Sequence, residues 1–501
     1  MRNRTGLIFI VSLFLALFAC DDPWEDHLEE FSTAKATQNL LEIIQSTPEL
    51  SSFNQMIEDA SLGELFSSSQ VSTVWAPTNA AIGDINLDFQ SDPDKLIQFV
   101  ENHIARGMYP LSTQQKDIRC KMLNTKRIPM NMSDGKIYDE AISGDYNKVA
   151  TNGIVHMIDK TIELRPSIWE FIEETDLDLA QVQFLNSITG TLFVDSLAEI
   201  IGFDPITSEP IYDTLSGTIW YNQYIFENAD LGAEDSIFTF LILEDDIYNT
   251  QFERFKPYYK LDVKDPRDTT ELWNYMVTVD LVASGYLTPE ELDGYMTSVN
   301  GIRVPFESGA VIETIEASNG VIYRLSNCDL SLVEKFPPII VEAEAEDKII
   351  YTGGGSDGYT RKKALASGGY DFVLDDHDGN PGKVIYHAGL VAATKYEFYW
   401  VAVDDFGHTY RGAAVDTIRQ KLERVIYVPT NPVETRFPVQ PPSISDSLLY
   451  ISDPSYETAE ERYAGAFTFK YYSDLWFHLI GSGNNTTMTL DYVRLVPVFE
   501  E

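Results

Sequence analysis

The sequence predicts an α+β protein built from two related modules and a C-terminal all-β domain. Two stretches, at Asn152-Gly153 and at Asn319-Gly320, place an Asn-Gly turn before an apolar run, which is typical of a buried strand. Helical periodicity persists to about residue 334, where short strands and Gly-rich turns replace it, a pattern that favours a β-sandwich. The 501 residues are enough for roughly three domains.

The chain carries a large excess of acidic residues. It has 36 Lys and Arg against 78 Asp and Glu, which gives a formal net charge of −42. A negative field of this size repels nucleic acid and anionic lipid, so we expect no nucleic-acid partner. Hydrophobic residues make up 44% of the chain, a share that predicts folded domains rather than wholesale disorder.

The N-terminus resembles a bacterial lipoprotein signal. Arg2 and Arg4 precede an apolar run over residues 7–19, which is too short to span a bilayer. The run ends in Leu-Phe-Ala-Cys, which resembles a lipobox. The resemblance implies that residues 1–19 are a removed signal peptide and that Cys20 carries a lipid such as palmitate.

The residues from Cys20 onwards predict the location of the protein. Residues 20–36 are polar and acidic, as expected of a tether. Their acidic start resembles the export signal of Bacteroidetes surface lipoproteins. We therefore expect an outer-membrane protein that is lipid-anchored and exposed at the cell surface.

Cys120 and Cys328 lie in different modules. Two buried free thiols are a better prediction for them than a disulfide that crosses between modules. The chain has no Cys-x-x-Cys spacing and its seven His are scattered, so no zinc site is predicted.

The first module is predicted over residues 37–164. A strand over residues 71–77 ends at a proline, and a capped helix follows it. Residues 73–82 (Thr-Val-Trp-Ala-Pro-Thr-Asn-Ala-Ala-Ile) and 152–159 (Asn-Gly-Ile-Val-His-Met-Ile-Asp) resemble the two boxes of the fasciclin family. The resemblance implies a fasciclin-like α+β fold and a role in adhesion or binding.

Residues 166–334 resemble a divergent second fasciclin-like module. The apolar run 238–245 takes the place of the first box, with Leu243 where the first module has Pro77, and Asn319-Gly320 opens the second box. Residues 204–228 are interpreted as an insertion. Helices are predicted over residues 168–175, 184–201 and 272–281.

Residues 337–501 are predicted to form the all-β domain, after a linker at Phe336-Pro337-Pro338. Residues 341–344 and 490–495 resemble the first and last strands of galactose-binding-like jelly rolls, a fold common among carbohydrate-binding modules. The resemblance implies a jelly-roll β-sandwich. Its strands are expected over residues 339–345, 348–351, 370–374, 396–403, 424–428, 466–472, 475–480 and 488–497.

Two histidines in the first module are candidates for a functional role. His156 lies within the second box, but its counterpart in the second module is Tyr323. His103 likewise corresponds to Leu281. A shared catalytic or metal-binding role would not survive these replacements, so we predict buried, hydrogen-bonded core histidines.

Two segments of the C-terminal domain are candidates for ligand binding. The aromatic and acidic loop 404–410 is the candidate glycan site, because sugars stack on exposed aromatic rings and hydrogen-bond to carboxylates; its candidate residues are Asp404, Asp405, Phe406, His408 and Tyr410. A turn with oxygen-bearing side chains at alternate positions is a candidate structural Ca²⁺ site, formed by Asp376, Asp378 and Asn380. An EF-hand is excluded, since Pro381 occupies the position that requires Gly.

The spacing Gly354-x-Ser356-x-Gly358 is the spacing of a nucleophile elbow. It lies in a Gly-rich stretch of an all-β segment, without the strand-to-helix turn that such an elbow needs. We interpret it as a flexible turn. Paired carboxylates of a glycosidase are not recognisable in the sequence either, so no enzyme is predicted and no cofactor beyond the candidate Ca²⁺.

These observations predict a non-enzymatic adhesion or binding lipoprotein of the cell surface. Its partners would be a glycan or an envelope or matrix protein, with the membrane reached through the lipid anchor. The alternative is an accessory glycan-binding subunit of an outer-membrane polysaccharide-uptake complex, which would have a transporter as a fixed partner.

Overall fold

The computed structural model describes residues 36–83, 92–111, 117–138, 140–141, 144–292, 294–344, 349–351, 357–375, 383–401, 409–410, 413–414, 419–425, 447–451, 461–481 and 488–499. The predicted signal peptide, with Cys20, and all of the predicted tether except Ala36 lie outside these ranges. Among the described helices, none combines the length and the apolar character needed to span a membrane.

The first module packs short helices around a mixed sheet. Its helices are α1 (Leu40–Ser46), α2 (Ser51–Asp59), α3 (Gly63–Ser67), α4 (Asn79–Gly83) and α5 (Pro93–Glu101). Its strands are β1 (Ser72–Pro77), β2 (Ile104–Arg106), β3 (Asp117–Lys121), β4 (Arg127–Asn131), β5 (Lys136–Ile137), β6 (Glu140–Ala141), β7 (Gly144–Ala150) and β8 (Gly153–Ile158). One sheet has the order β2-β1-β8-β7, with β1 and β8 parallel, and the other has the order β3-β4-β5-β6.

The second module repeats this arrangement. Its helices are α6 (Ile168–Glu174), α7 (Ala180–Ser187), α8 (Gln223–Glu227), α9 (Asp245–Phe255), α10 (Thr269–Thr278), α11 (Pro289–Leu292) and α12 (Leu332–Lys335). Its strands are β9 (Thr189–Phe193), β10 (Ile200–Phe203), β11 (Pro210–Tyr212), β12 (Thr218–Asn222), β13 (Phe238–Leu243), β14 (Val282–Ser284), β15 (Tyr295–Thr297), β16 (Arg303–Pro305), β17 (Val311–Ala317) and β18 (Gly320–Leu325). The sheet order β14-β13-β18-β17, with β13 parallel to β18, matches the first module strand for strand.

The Asn-Gly pairs explain why the two boxes recur. A Cβ on Gly153 would lie 1.8 Å from the backbone oxygen of Ser72, and a Cβ on Gly320 would lie 1.9 Å from that of Phe238, so both sites require glycine. The preceding Asn152 accepts a hydrogen bond from the backbone N–H that starts α1, and Asn319 does the same at the start of α6, each at 2.9 Å. Each pair therefore joins the central parallel strands to the first helix of its module.

The predicted helix over residues 184–201 is wrong beyond Ser187. The chain turns there into a long two-stranded hairpin, in which β9 pairs with β12 and β10 with β11. Thr189-Gly190-Thr191 and Ile200-Ile201-Gly202 combine β-branched residues with glycine, both of which disfavour helix. We call residues 189–222 the arm.

The C-terminal domain is a β-sandwich, as predicted. Its strands are β19 (Ile339–Glu342), β20 (Ile349–Tyr351), β21 (Asp357–Lys362), β22 (Tyr370–Asp375), β23 (Lys383–Val391), β24 (Lys395–Val401), β25 (Thr409–Tyr410), β26 (Ala413–Ala414), β27 (Arg419–Val425), β28 (Ser447–Ile451), β29 (Arg462–Thr468), β30 (Ser473–Gly481), β31 (Met488–Leu490) and β32 (Tyr492–Val498). The main sheets have the orders β19-β32-β24-β29 and β20-β23-β30-β27-β28, and β21-β22-β31 forms a third. The sequence did not predict strands β21, β23, β25, β26 and β28.

The second module and the sandwich share one hydrophobic core. The Tyr259 and Tyr472 rings meet at 4.9 Å, and Tyr258 meets Phe499 at 5.3 Å. Backbone hydrogen bonds also cross the junction, including one of 2.7 Å from Ala393 N–H to the Tyr258 oxygen. Phe336, predicted to begin a linker, is buried between these rings. The linker interpretation is therefore wrong at this residue, because an aromatic side chain here gains more by burial than by exposure.

Charged side chains join the first module to the second. Lys126 of the first module forms ion pairs with Glu170 and Glu234 of the second, the latter at 2.9 Å. Glu234 also accepts hydrogen bonds from the Ser318 hydroxyl at 2.6 Å and from the Arg127 backbone N–H at 3.3 Å. Because Lys126 and Glu234 are both largely buried here, this carboxylate anchors the interface.

We predict that Glu234→Gln weakens this interface. The substitution keeps the shape but removes the charge opposite Lys126, which should lower the free energy of unfolding of the full chain by about 1–3 kcal/mol. Urea unfolding followed by circular dichroism measures this difference. The control is Asp235→Asn, since Asp235 pairs with Arg127 but is 72% exposed, and its loss should cost no more than about 0.5 kcal/mol. Equal effects of the two substitutions would contradict the prediction.

Candidate functional site

Most of the predicted ligand and metal residues lie outside the described ranges. These are Asp404, Asp405, Phe406 and His408 of the candidate glycan loop, Asp376, Asp378 and Asn380 of the candidate Ca²⁺ turn, and Gly354 and Ser356 of the Gly-rich turn. The backbone of Tyr410 is described and belongs to β25, which pairs with β26. Within the described ranges, no group of three or more His, Cys, Asp or Glu side chains is arranged to hold a metal ion.

The histidines of the first module are core residues, as predicted. His156 is fully buried; its Nε2 donates to the Tyr109 oxygen at 2.8 Å and its Nδ1 accepts from the Asn147 N–H at 3.2 Å. Burial lowers the pKa of His156 to about 4. In the second module the Tyr323 hydroxyl donates to the Leu287 oxygen at 2.9 Å, so a different side chain fills the same role.

The two cysteines are buried free thiols, as predicted. Burial raises the pKa of Cys120 and of Cys328 to about 12, which keeps both protonated and unreactive at neutral pH. Neither thiol is therefore a candidate nucleophile.

The outer surface of the five-stranded sheet of the sandwich carries a different candidate site. Strand β30 alternates: Leu475, Phe477 and Leu479 point into the core, whereas Asp474 and Trp476 lie on the opposite face. In the neighbouring strand β23, His387 is the direct partner of Trp476 in the antiparallel ladder.

These side chains form an ordered aromatic and acidic surface. The imidazole of His387 stacks on the indole of Trp476, with ring centroids 4.2 Å apart and planes 15° from parallel. One carboxylate oxygen of Asp474 lies 2.5 Å from His387 Nε2, and the other accepts from Trp476 Nε1 at 2.8 Å. We call His387, Asp474 and Trp476 the platform.

A β-bulge sets the position of His387. The pairing of β23 with β30 shifts register between His387 and Gly389, and Gly389 has a φ of +76°. A residue with a side chain would adopt that φ only with strain, so glycine is favoured at this bulge. The bulge places Asp474 opposite Leu390 and brings its carboxylate back to His387.

The platform can bind a polar ligand that has a flat apolar face. Its rings are only partly exposed, but the side chains of His387 and Asp474 keep 31% and 41% of their surface accessible. Each oxygen of Asp474 has a lone pair left after its internal hydrogen bond and can accept from a ligand hydroxyl. A stacked ring system beside a carboxylate can contact both parts of a pyranose, since sugars have apolar C–H faces and hydroxyl edges.

The four-stranded sheet carries a second aromatic surface, whose charged groups already bind one another. Arg494 lies over the Tyr399 ring at 4.8 Å and is bound to Glu461 through two hydrogen bonds, of 2.7 and 2.5 Å. Glu461 also accepts from the Tyr492 hydroxyl at 3.1 Å, and Tyr463 packs edge-on against Tyr399. Because arginine already covers the ring and neutralises the carboxylate, this surface is the weaker candidate.

The local sequence patterns do not predict the platform. Trp476 falls in the expected strand 475–480, but no strand is expected at β23, which carries His387. The alternation Asp474-Leu475-Trp476-Phe477 marks an outward-facing Trp and was a usable signal. The partner strand, 87 residues away, gave no such signal, since Val384, Ile385 and Tyr386 are buried in succession.

Comparison with known proteins assigns the first module. Residues 48–164 match the fasciclin domain family, which confirms the predicted resemblance there. Comparison with curated proteins finds no significant match.

Solved structures resemble separate parts of the chain. A FAS1 domain pair from the insect cell adhesion molecule Fasciclin I is 16% identical, with 56% of this chain and 97% of that chain covered and a TM-score of 0.22. A family 35 carbohydrate binding module from Clostridium thermocellum is 13% identical, with 32% and 98% covered and a TM-score of 0.22. The CBM36-1 domain of a multidomain xylanase from the hindgut metagenome of Trinervitermes trinervoides is 16% identical, with 32% and 99% covered and a TM-score of 0.19.

Proposed function

We propose that this protein is a non-enzymatic binding protein of the bacterial cell surface and that its platform holds a glycan. The observation that carries the proposal is the stack of His387 on Trp476 beside the Asp474 carboxylate. The chain is held at the outer membrane through a lipid on Cys20, and the fasciclin part contributes adhesion and displays the sandwich.

Residues 166–334 are, in this proposal, a second fasciclin module. Its support is the repeated sheet order and the repeated contacts of the two Asn-Gly pairs. A further contact also repeats: the Thr73 hydroxyl donates to the Gly107 oxygen in the first module, and the Thr239 hydroxyl donates to the Gly285 oxygen in the second, both at 2.8 Å. The two modules therefore share internal chemistry as well as topology.

The charge of the chain favours neutral glycans over acidic glycans as the ligand. A net charge of −42 repels uronic acids and sulfated sugars at a distance, and Asp474 repels them at the site itself. Neutral polysaccharides such as mannan, xyloglucan or galactan avoid this penalty. Their hydroxyls can donate to the carboxylate while a ring face covers the exposed aromatic surface.

Affinity electrophoresis of the full chain through gels that contain these polysaccharides tests the proposal. At least one neutral polysaccharide should retard the protein, and Trp476→Ala should weaken the affinity by about fivefold or more, since the loss of a stacking ring costs at least about 1 kcal/mol. Asp474→Asn, which loses the charge but keeps an acceptor, should have a smaller effect.

Tyr463→Ala is the matched control. Tyr463 is an exposed aromatic residue on the other sheet of the same sandwich, so its removal should leave the retardation unchanged. If Tyr463→Ala abolishes binding while Trp476→Ala does not, the ligand occupies the four-stranded sheet and the platform assignment is wrong. If none of the neutral polysaccharides retards the protein, the proposed glycan function fails.

A further inference from the structure

The arm of the second module exposes an unusual amount of apolar surface. The described chain has 24 exposed large hydrophobic side chains, and ten of them lie within residues 189–222: Leu192, Phe193, Leu197, Ile200, Ile201, Phe203, Ile206, Ile211, Leu215 and Trp220. Ile206 and Leu215 are 91% and 85% exposed. Such a concentration of exposed apolar side chains in one element of a folded protein marks a site of interaction.

The backbone of the arm is also open. Its two legs, 189–203 and 210–222, pair with each other and with no other strand of the described chain. Adjacent residues such as Leu192 and Phe193, which point to opposite faces of the regularly paired strand β9, are both exposed, so neither face of this ribbon is covered. An isolated two-stranded ribbon is marginally stable in water, and its outer edges offer unpaired backbone groups to a further strand.

The base of the arm contains a pocket of about 360 Å³. Its apolar wall includes Trp169 of α6 and Trp220 of β12, whose rings lie 5.9 Å apart, together with Phe226 of α8. An apolar side chain of a strand laid along the arm would enter this pocket.

The charge of the arm indicates which kind of partner it binds. Residues 189–222 hold five acidic residues and no Lys or Arg: Asp195, Glu199, Asp204, Glu209 and Asp213. Two arms laid side by side would bring like charges together, which disfavours a second copy of this chain, and the same charge disfavours anionic lipid. Positively charged groups between apolar ones would be attracted.

We infer that the arm docks an extended segment of another protein, with alternating apolar and basic side chains, by adding it as a strand. The open edge supplies the backbone hydrogen bonds and the exposed apolar residues receive alternate side chains of the segment. The acidic residues neutralise its lysines or arginines. This interaction is separate from glycan binding on the sandwich.

Fluorescence anisotropy with a labelled synthetic peptide of alternating valine and lysine tests the inference on the full chain at physiological ionic strength. The arm can be removed cleanly, because Thr189 and Asn222 face each other in the ladder and an Asn-Gly turn can join them. Asn222 is retained, since it caps α8 and donates to the Leu185 oxygen. Removal of residues 190–221 should weaken peptide binding by about tenfold or more.

Two further comparisons distinguish strand addition from simple charge attraction. A peptide of the same composition with valines and lysines in separate blocks, and an alternating valine–glutamate peptide, should both bind about tenfold more weakly or worse. Ile201→Ser with Phe203→Ser changes only exposed side chains and should also weaken binding while the fold is kept. Equal binding of the block peptide, unchanged binding after arm removal, or a dimer that arm removal abolishes would each overturn the inference.

Discussion

Lys335→Met should destabilise the junction between the second module and the sandwich by about 3–5 kcal/mol, the usual cost of leaving one partner of a buried ion pair alone. Lys335 Nζ lies 2.6 Å from an Asp280 carboxylate oxygen, and the two side chains keep only 2% and 3% of their surface exposed. Lys335 Nζ also donates to the Met276 oxygen and lies over the Phe255 ring at 5.5 Å. The substitution leaves Asp280 buried, and within the described ranges its carboxylate then accepts a hydrogen bond only from the Asn300 side-chain amide, at 3.3 Å.

The ion pair of Lys335 and Asp280 lies where the second module meets the sandwich, so we expect its loss to lower the stability of both. Lys335 ends α12, and the buried Phe336 follows it directly. Urea unfolding with hydrogen exchange at α12 and β19 should show the loss in both elements. Lys95→Met is the matched control, since Lys95 pairs with Asp92 at 3.5 Å while 63% exposed, and it should change stability by no more than about 0.5 kcal/mol.

A double-mutant cycle makes the interpretation sharper. Lys335→Met combined with Asp280→Asn removes both charges, so the double variant should be more stable than the sum of the two single losses predicts. Strict additivity would show that the two side chains do not interact, and would contradict the ion pair as the cause.

Acid should unfold the first module before the second. Burial lowers the pKa of both His103 and His156 to about 4, from 6.5. Between these values the unfolded chain binds more protons than the native one. The stability that the two neutral histidines contribute is therefore fully present above pH 6.5 and is lost as the pH falls through 4. Each histidine contributes about 3 kcal/mol to this loss. The second module has Leu281 and Tyr323 at these positions and lacks the effect.

The hydrogen bonds explain why these histidines resist protonation. In His103, Nδ1 lies 2.8 Å from the Phe99 oxygen, while Nε2 accepts from the Ile162 N–H at 2.9 Å. In His156 the roles of the two nitrogens are exchanged, but one again donates and one accepts. A second proton would point an N–H at another N–H in a buried site, which costs the full loss of that hydrogen bond.

The sandwich should respond to acid in the opposite sense. Burial, reinforced by the nearby carboxylates of Glu342, Glu344 and Asp371, raises the pKa of Asp491 to about 6 from 3.8. The native state therefore binds the proton on Asp491 more tightly than the unfolded state does. The contribution of protonated Asp491 to stability is fully present below pH 3.8 and is lost as the pH rises through 6. Acidification from pH 7 to pH 4 should therefore destabilise the first module while relieving repulsion in the sandwich.

Hydrogen exchange followed by mass spectrometry, corrected for the intrinsic effect of pH, measures each module separately in the full chain. His156→Tyr is the matched variant, because Tyr323 already fills this position in the second module. It should recover about half of the acid-induced loss in the first module. Equal protection of that module at pH 7 and at pH 4 would contradict the assignment.

The sequence by itself determined the modular plan. The two Asn-Gly pairs, the apolar strands that follow them and the change from helical to strand periodicity are local patterns, and each reflects a backbone or burial requirement of nearby residues. For the same reason the core role of His156 could be predicted, since comparison with Tyr323 needs only the repeat.

The tertiary structure decided what the local patterns do not contain. The platform depends on the register between β23 and β30 and on the bulge at Gly389, which bring His387 to Trp476. The buried pair of Lys335 and Asp280 depends on how the end of the second module packs against α10. The arm stands where a helix was predicted because its exposed apolar residues cover no core. They therefore show no burial periodicity that separates a strand from a helix. In each case the energy comes from contacts between distant segments, which only folding places side by side.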